Sequence, residues 1–205
     1  MPRIVDHAER RAQLAEALWR VVRTQGIHQV SVRSVAAQAG TSPSALRHYF
    51  ATQEELLGFA LQSVVDRVSA RLVPVLPQLR GRSGAVHILE QLLPLDADRR
   101  DEVEVYLAYN VRAHRDPALR AIRDQAEAAS RLAVRHALLL LADDNALGAG
   151  QDPEALADQT YPLVDGLALH GTLWPDRYPS AHLRRALGDH LQQLSQPSPT
   201  HDQGS

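Results

Sequence analysis

The sequence contains no cysteine, so disulfides, thiolate metal sites and cysteine nucleophiles are all excluded. Aromatic residues make up only 4% of its 205 positions, which leaves Leu, Val and Ala to build the core. Ala and Leu head the helix-propensity scale, so this scarcity itself favours an all-helical chain. No apolar run approaches the ~18 residues of a membrane span. The opening Met1–Asp6 has no apolar core of the signal-peptide kind, and a cytoplasmic location is the expectation. Lysine is also absent, so arginine supplies all 22 basic residues; codon bias is the simplest source, and no mechanism rests on it. The chain has room for one medium domain, or for a small domain joined to a larger one.

Net charge is only −2, but it is unevenly spread. Residues 1–50 carry seven Arg against three acidic residues, and the remaining 155 carry 15 Arg against 21. A basic head on an acidic body implies that one end meets phosphate and the other does not.

Helical periodicity runs throughout, with no convincing strand. Ala8, Ala12, Ala15, Leu18, Trp19 and Val22 recur at helical spacing, and Gly26 stops that helix. Ser31 caps a short helix ended by Gly40. Ser42-Pro43 opens another, an N-cap hydroxyl followed by proline at the first helical position, with Leu46, Tyr49 and Phe50 turned inward. Thr52-Gln53-Glu54-Glu55 is a capping box that launches a long helix closed by Pro74 and Pro77. Further helices are predicted over about 83–93, 98–114, 117–142, 153–174 and 180–194. The fold class is therefore all-α with nine helices. The divisions expected are 1–52, 53–195 and a tail over 196–205 that has no apolar content and is expected to be disordered.

Two short helices joined by a glycine turn, with a third behind them, form a helix-turn-helix unit. Its outward face comprises Thr41, Ser42, Pro43, Ser44, Arg47 and His48, with Arg33 on the supporting helix and Arg3, Arg10 and Arg11 nearby. Arginine can fork onto guanine O6 and N7, and hydroxyls suit phosphate oxygens. A plain three-helix bundle would use the same spacing, but not this local charge.

The run from Val30 to Phe50, VSVRSVAAQAGTSPSALRHYF, followed by Thr52-Gln53-Glu54-Glu55-Leu56-Leu57, resembles the TetR-family DNA-binding signature over about residues 8–60. The resemblance implies an all-helical homodimer that binds a palindromic double-stranded operator and leaves it when a small molecule binds the C-terminal domain. Two positions depart from the family pattern. Thr41 replaces an apolar residue, and so either contacts DNA or packs less well. Gln53 replaces a common lysine at the start of the fourth helix, removing a cation, although that helix's backbone amides can still meet a phosphate.

Around Val103–Asn110 and Asp116-Pro117 the body is similar to the betaine-biosynthesis repressor subgroup of the same family. A pocket between central helices would draw on Phe59, Leu89, Tyr106, Tyr109, Asn110, His136 and His170; each aromatic or His has a plain core or surface alternative. Asn110, on a largely apolar helix, stands out most. The last two helices present stripes whose dimer-face candidates are Leu156, Leu163, Leu167, Gly171, Leu183, Leu187 and Leu191. The same stripes can equally cover their own subunit's core. Pro162 lies inside the first of them and is expected to kink it.

No cofactor is implied, and none of the ten histidines forms a metal-ligand spacing such as H-x-x-x-H. The leading function is a ligand-controlled repressor. A helical enzyme acting on a small metabolite is the alternative from another class, although no nucleophile–base pair, phosphate loop or metal motif supports it. The third alternative is a DNA-binding protein without an effector.

Overall fold

A computed structural model describes residues 7–196, and among these every regular element is helical. The helices are α1 (His7–Gln25), α2 (Val32–Gln38), α3 (Pro43–Arg47), α4 (Gln53–Leu72), α5 (Gly81–Glu90), α6 (Ala97–Arg115), α7 (Arg120–Asp143), α8 (Pro153–Leu173) and α9 (Ser180–Gln193). Single 3-10 turns at Ile27–Gln29, Leu76–Gln78 and Pro117–Leu119 were not foreseen from periodicity. The expectations for Arg3 and for tail residues 197–205 lie outside the described residues.

The described chain divides into two compact units. One holds the residues up to Arg67 together with Glu104–Ala126; the other holds Val68–Val103 and the residues from Glu127 onward. Helices α4, α6 and α7 each begin in one unit and end in the other.

In the first unit, α1 turns Leu14, Leu18, Val21 and Val22 fully inward. Ala12, placed on the apolar stripe by periodicity, is exposed. The larger aliphatic side chains gain more from leaving water, so they set the buried register and alanine yields it. Trp19 is buried, donates its indole N–H to Ser63 Oγ at 2.7 Å, and lies beneath the Arg67 guanidinium 4.6 Å from the ring. This joins α1 to α4 through a satisfied polar atom in a dry core. Trp19→Phe keeps most of the ring but strands the buried Ser63 hydroxyl. It is expected to cost about 1–3 kcal/mol in chemical denaturation, whereas Ser63→Ala in the Trp19→Phe background adds little more. Full additivity of the two losses would rule out the bond.

The second unit is fastened by a buried ion pair. Arg71, in the last turn of α4, forks onto Glu102 of α6 at 2.8 and 2.7 Å and donates its Nε–H to Gln91 beyond α5 at 2.9 Å. Glu102 is only 3% exposed. The hydrogen bonds that Arg71 donates to Glu102, and the charge of that carboxylate, hold the guanidinium's pKa above the ordinary arginine value, against the opposing effect of burial. On α8, Leu156, Thr160, Tyr161, Val164, Ala168 and Gly171 are buried, as are Leu183, Leu187 and Leu191 of α9. A Cβ on Gly171 would stand 2.6 Å from Leu183 Cδ1, so glycine is what lets these helices touch. Helix α8 continues through Pro162, whose ring is exposed.

Thr160 Oγ1 and His190 Nε2 meet at 2.9 Å between α8 and α9, and burial holds the His190 pKa below its ordinary 6.5. The sign follows from linkage: a folded pKa below the unfolded one gives stability that is present above about 6.5 and lost as pH falls through the folded value. The melting-temperature advantage of the parent chain over His190→Gln should therefore shrink on acidification below that pH. A pH-independent difference would contradict this.

Candidate nucleic-acid interface and subunit face

The local sequence dictates the reading head. Ser31 Oγ accepts from the Ser34 amide at 3.1 Å while Ser34 Oγ accepts from the Ser31 amide at 2.9 Å, a reciprocal cap that starts α2. Gly40 ends it at φ +62°, with Thr41 N–H donating to Ala36 O and Gly40 N–H to Ala37 O, a closure that places a positive φ where only glycine is unstrained. Ser42 Oγ then accepts from the Ala45 amide at 3.1 Å, Pro43 follows at the first helical position, and α3 begins. Because the Ser42 oxygen is used as an acceptor, its hydroxyl proton is still available to an outside acceptor. Leu46 (1% exposed) and Phe50 (7%) pin α3 to its support.

With those anchors inside, Arg33, Ser42, Pro43, Ser44, Arg47 and His48 are exposed, and Thr41 is half-buried. Two residues depart from expectation. Tyr49, expected inward, is 42% exposed, because Leu46 and Phe50 fill the buried side of this short helix. Its hydroxyl joins the outward face, and the only sequence signal for it was its place one residue beyond His48. Gln53, expected to face DNA, donates its side-chain N–H to Val30 O at 2.6 Å, tying the start of α4 to the segment before α2. Thr52 Oγ1 caps the Glu55 amide at 3.1 Å, while the Glu55 carboxylate accepts from the Ala51 amide at 2.7 Å.

The seven expected effector residues are shared between the units: Phe59, Tyr106, Tyr109 and Asn110 lie in the first, and Leu89, His136 and His170 in the second. Phe59 packs on Phe50 with ring centroids 4.9 Å apart and has the Arg11 guanidinium 5.0 Å above its ring, so it belongs to the core of the first unit. Tyr109 is 1% exposed and its hydroxyl donates to Leu119 O at 3.1 Å, which satisfies it internally. Burial and the nearby Asp116 raise its pKa. Tyr106 and Asn110 are half-buried on α6 in that same unit. In the second unit, Leu89 is fully buried in the core and His136 is half-buried on α7. His170 is exposed and its ring lies against those of Trp174 and Tyr178 at 5.2 and 5.1 Å.

The dimer-face candidates divide by burial. Leu156, Gly171, Leu183, Leu187 and Leu191 are buried within their own chain. Leu163 is exposed and Leu167 half-buried. The free face of α8 consists of Ala155, Gln159, Pro162, Leu163, His170 and Leu173, all exposed, around Gly166, whose Cβ position meets only open space. It carries no carboxylate and no arginine.

Residues 14–58, which hold this reading head, match the profile described as bacterial regulatory proteins, tetR family; residues 81–196 match BetI-type transcriptional repressor, C-terminal. The chain belongs to the TetR family. It is thus a TetR-family transcriptional regulator. It is 34% identical to the HTH-type transcriptional regulator PksA of Bacillus subtilis, over 95% of this chain and 94% of that protein. The crystal structure of a transcriptional regulator from Rhodococcus sp. Rha1 superposes with TM-score 0.74 at 34% identity, covering 90% of this TetR-family chain and 95% of the other. A regulator from Saccharomonospora viridis, solved with choline, shares the fold at TM-score 0.78 and 24% identity, over 90% and 96% of the two chains. No helix among the described residues is long and apolar enough to cross a membrane, and no group of three or more His, Asp or Glu there could hold a metal ion.

Proposed function

We propose that the protein is a homodimeric repressor that binds a palindromic operator through Arg33, Thr41, Ser42, Pro43, Ser44, Arg47, His48 and Tyr49, and releases it when a small molecule binds the body. The observation that carries this reading is the exposed Arg47–His48–Tyr49 edge of α3, held by the fully buried Leu46. A short helix pinned from behind, with arginine, imidazole and hydroxyls outward, suits the major groove and its flanking phosphates. The family's two-fold assembly would place two such heads about one helical turn (~34 Å) apart. The free face of α8 is the surface we assign to the second subunit, since exposed apolar area without carboxylates or arginines is what a subunit contact removes from water. The site of action is the cytoplasm, where the DNA is.

Tyr106 and Asn110 are the effector-binding residues we assign in the first unit, since both are half-buried groups on α6 that carry hydrogen-bonding atoms. His136 is retained separately in the second. The choline complex of the Saccharomonospora viridis regulator supports a small polar effector, and choline is therefore the first compound to test. In gel-shift assays with DNA upstream of the protein's own gene, an effector should dissociate the complex, and Asn110→Leu should require a higher effector concentration without altering operator affinity. Unchanged effector sensitivity in that variant would remove Asn110 from the site.

A further inference from the structure

We propose that the two subunits are set in register by reciprocal ion pairs between Arg185 of each and the partner's Asp189; this rests on the dimer reading above. Helix α9 has three sides. Toward α8 it buries Leu183, Leu187 and Leu191 and makes the His190–Thr160 contact. Toward α5 it is occupied by charge: Arg184 Nε donates to Glu90 at 3.0 Å, and Arg82 donates to Gly188 O at 2.8 Å and to Gln192 at 3.0 Å. The third side holds His182, Arg185, Ala186, Asp189 and Gln193.

Arg185 and Asp189 are both exposed and stand one helical turn apart, yet no ion pair joins them to each other or to any other described residue. Arginine preceding the acid by four residues is the less favourable order for a pair within one helix, so the helix gains little by closing it. The same order is self-complementary across a two-fold axis. A two-fold axis perpendicular to α9 near residue 187 reverses the helix direction and sets Arg185 against the partner's Asp189, twice per dimer. A parallel or slipped arrangement sets like charges together or leaves both unpaired. The apolar α8 face supplies contact area without direction, and the α9 charges supply register.

The test is charge reversal read by sedimentation equilibrium at low ionic strength. Arg185→Asp places two acids against each other at both contacts, and Asp189→Arg places two arginines; each homodimer should dissociate about 10-fold more readily or worse. Mixing the two variants restores both pairs in the heterodimer, which should form in preference to either homodimer and match the parent's affinity within about 3-fold. The doubly reversed chain, Arg185→Asp with Asp189→Arg, should also dimerise like the parent, which guards against a fold lost in one single variant. Single reversals that leave dimerisation unchanged, or a mixture without heterodimer preference, would overturn the pairing while leaving the dimer intact. A monomeric parent chain at tens of micromolar would overturn the dimer reading itself.

Discussion

Arg71→Leu is expected to destabilise the fold by about 3–5 kcal/mol, the largest loss from any single polar substitution discussed for this chain. The reason is an asymmetry of burial. Glu102 is 3% exposed, so deleting the guanidinium takes away the cation to which it accepts two bonds, in a place that water scarcely reaches. The reverse deletion, Glu102→Gln, leaves Arg71 with a side chain 32% exposed, still able to reach water and to use the new amide oxygen. That variant should lose only about 1–2 kcal/mol. Guanidinium unfolding at one fixed protein concentration compares the two, since a dimer's apparent stability depends on concentration. Equal losses would mean that the pair is worth no more than its surface geometry. Residue 71 lies four residues past the point where α4 leaves the first unit, and residue 102 lies two residues before α6 enters it.

Arg47→Ala carries the second large effect, on DNA rather than on stability. Arg47 is exposed at the end of α3 while Leu46 beside it is 1% exposed, so truncating Arg47 disturbs no packing. A bidentate arginine–guanine contact is worth about 1–3 kcal/mol, and a dimer makes it twice, so operator affinity should fall about 30-fold or more. Arg33→Ala should behave differently. As a phosphate contact from the supporting helix, its loss should weaken specific and scrambled duplexes alike and lower the salt slope by about 2 per dimer. If Arg47→Ala weakened both duplexes equally, Arg47 would be a backbone contact and sequence reading would have to lie elsewhere on the α3 face.

Much of this was legible in the sequence because local chemistry sets local structure. Ser31, Gly40, Ser42-Pro43 and Thr52 are caps and stops whose hydrogen bonds lie within a few residues, and each forms as their spacing predicts. Helices α5 to α9 fall within about two or three residues of the periodic segments for the same reason. What periodicity does not carry is which of two apolar faces meets a partner. Leu183, Leu187 and Leu191 form a stripe that serves a dimer or a core equally well until the α8 and α5 neighbours are placed. Tyr49 and Gln53 illustrate the same limit at the reading head. A five-residue helix has little apolar side to share, so Leu46 and Phe50 exclude Tyr49 from it. Gln53 finds its acceptor at Val30, 23 residues earlier, a distance that no local pattern encodes. Among the effector candidates, aromatic side chains are engaged in internal contacts that periodicity does not encode, such as Phe59 on Phe50 and Tyr109 on Leu119 O.

If the α2–α3 head reads operator DNA, its binding must depend on both sequence and salt. Fluorescence anisotropy titrations of a duplex from upstream of the protein's own gene, against a scrambled duplex of equal length, test it most directly when repeated across a range of salt. Saturable binding is expected that favours the upstream duplex and weakens steeply and log-linearly with salt. Equal binding of the two duplexes at every salt concentration, or no binding at the lowest, would contradict it.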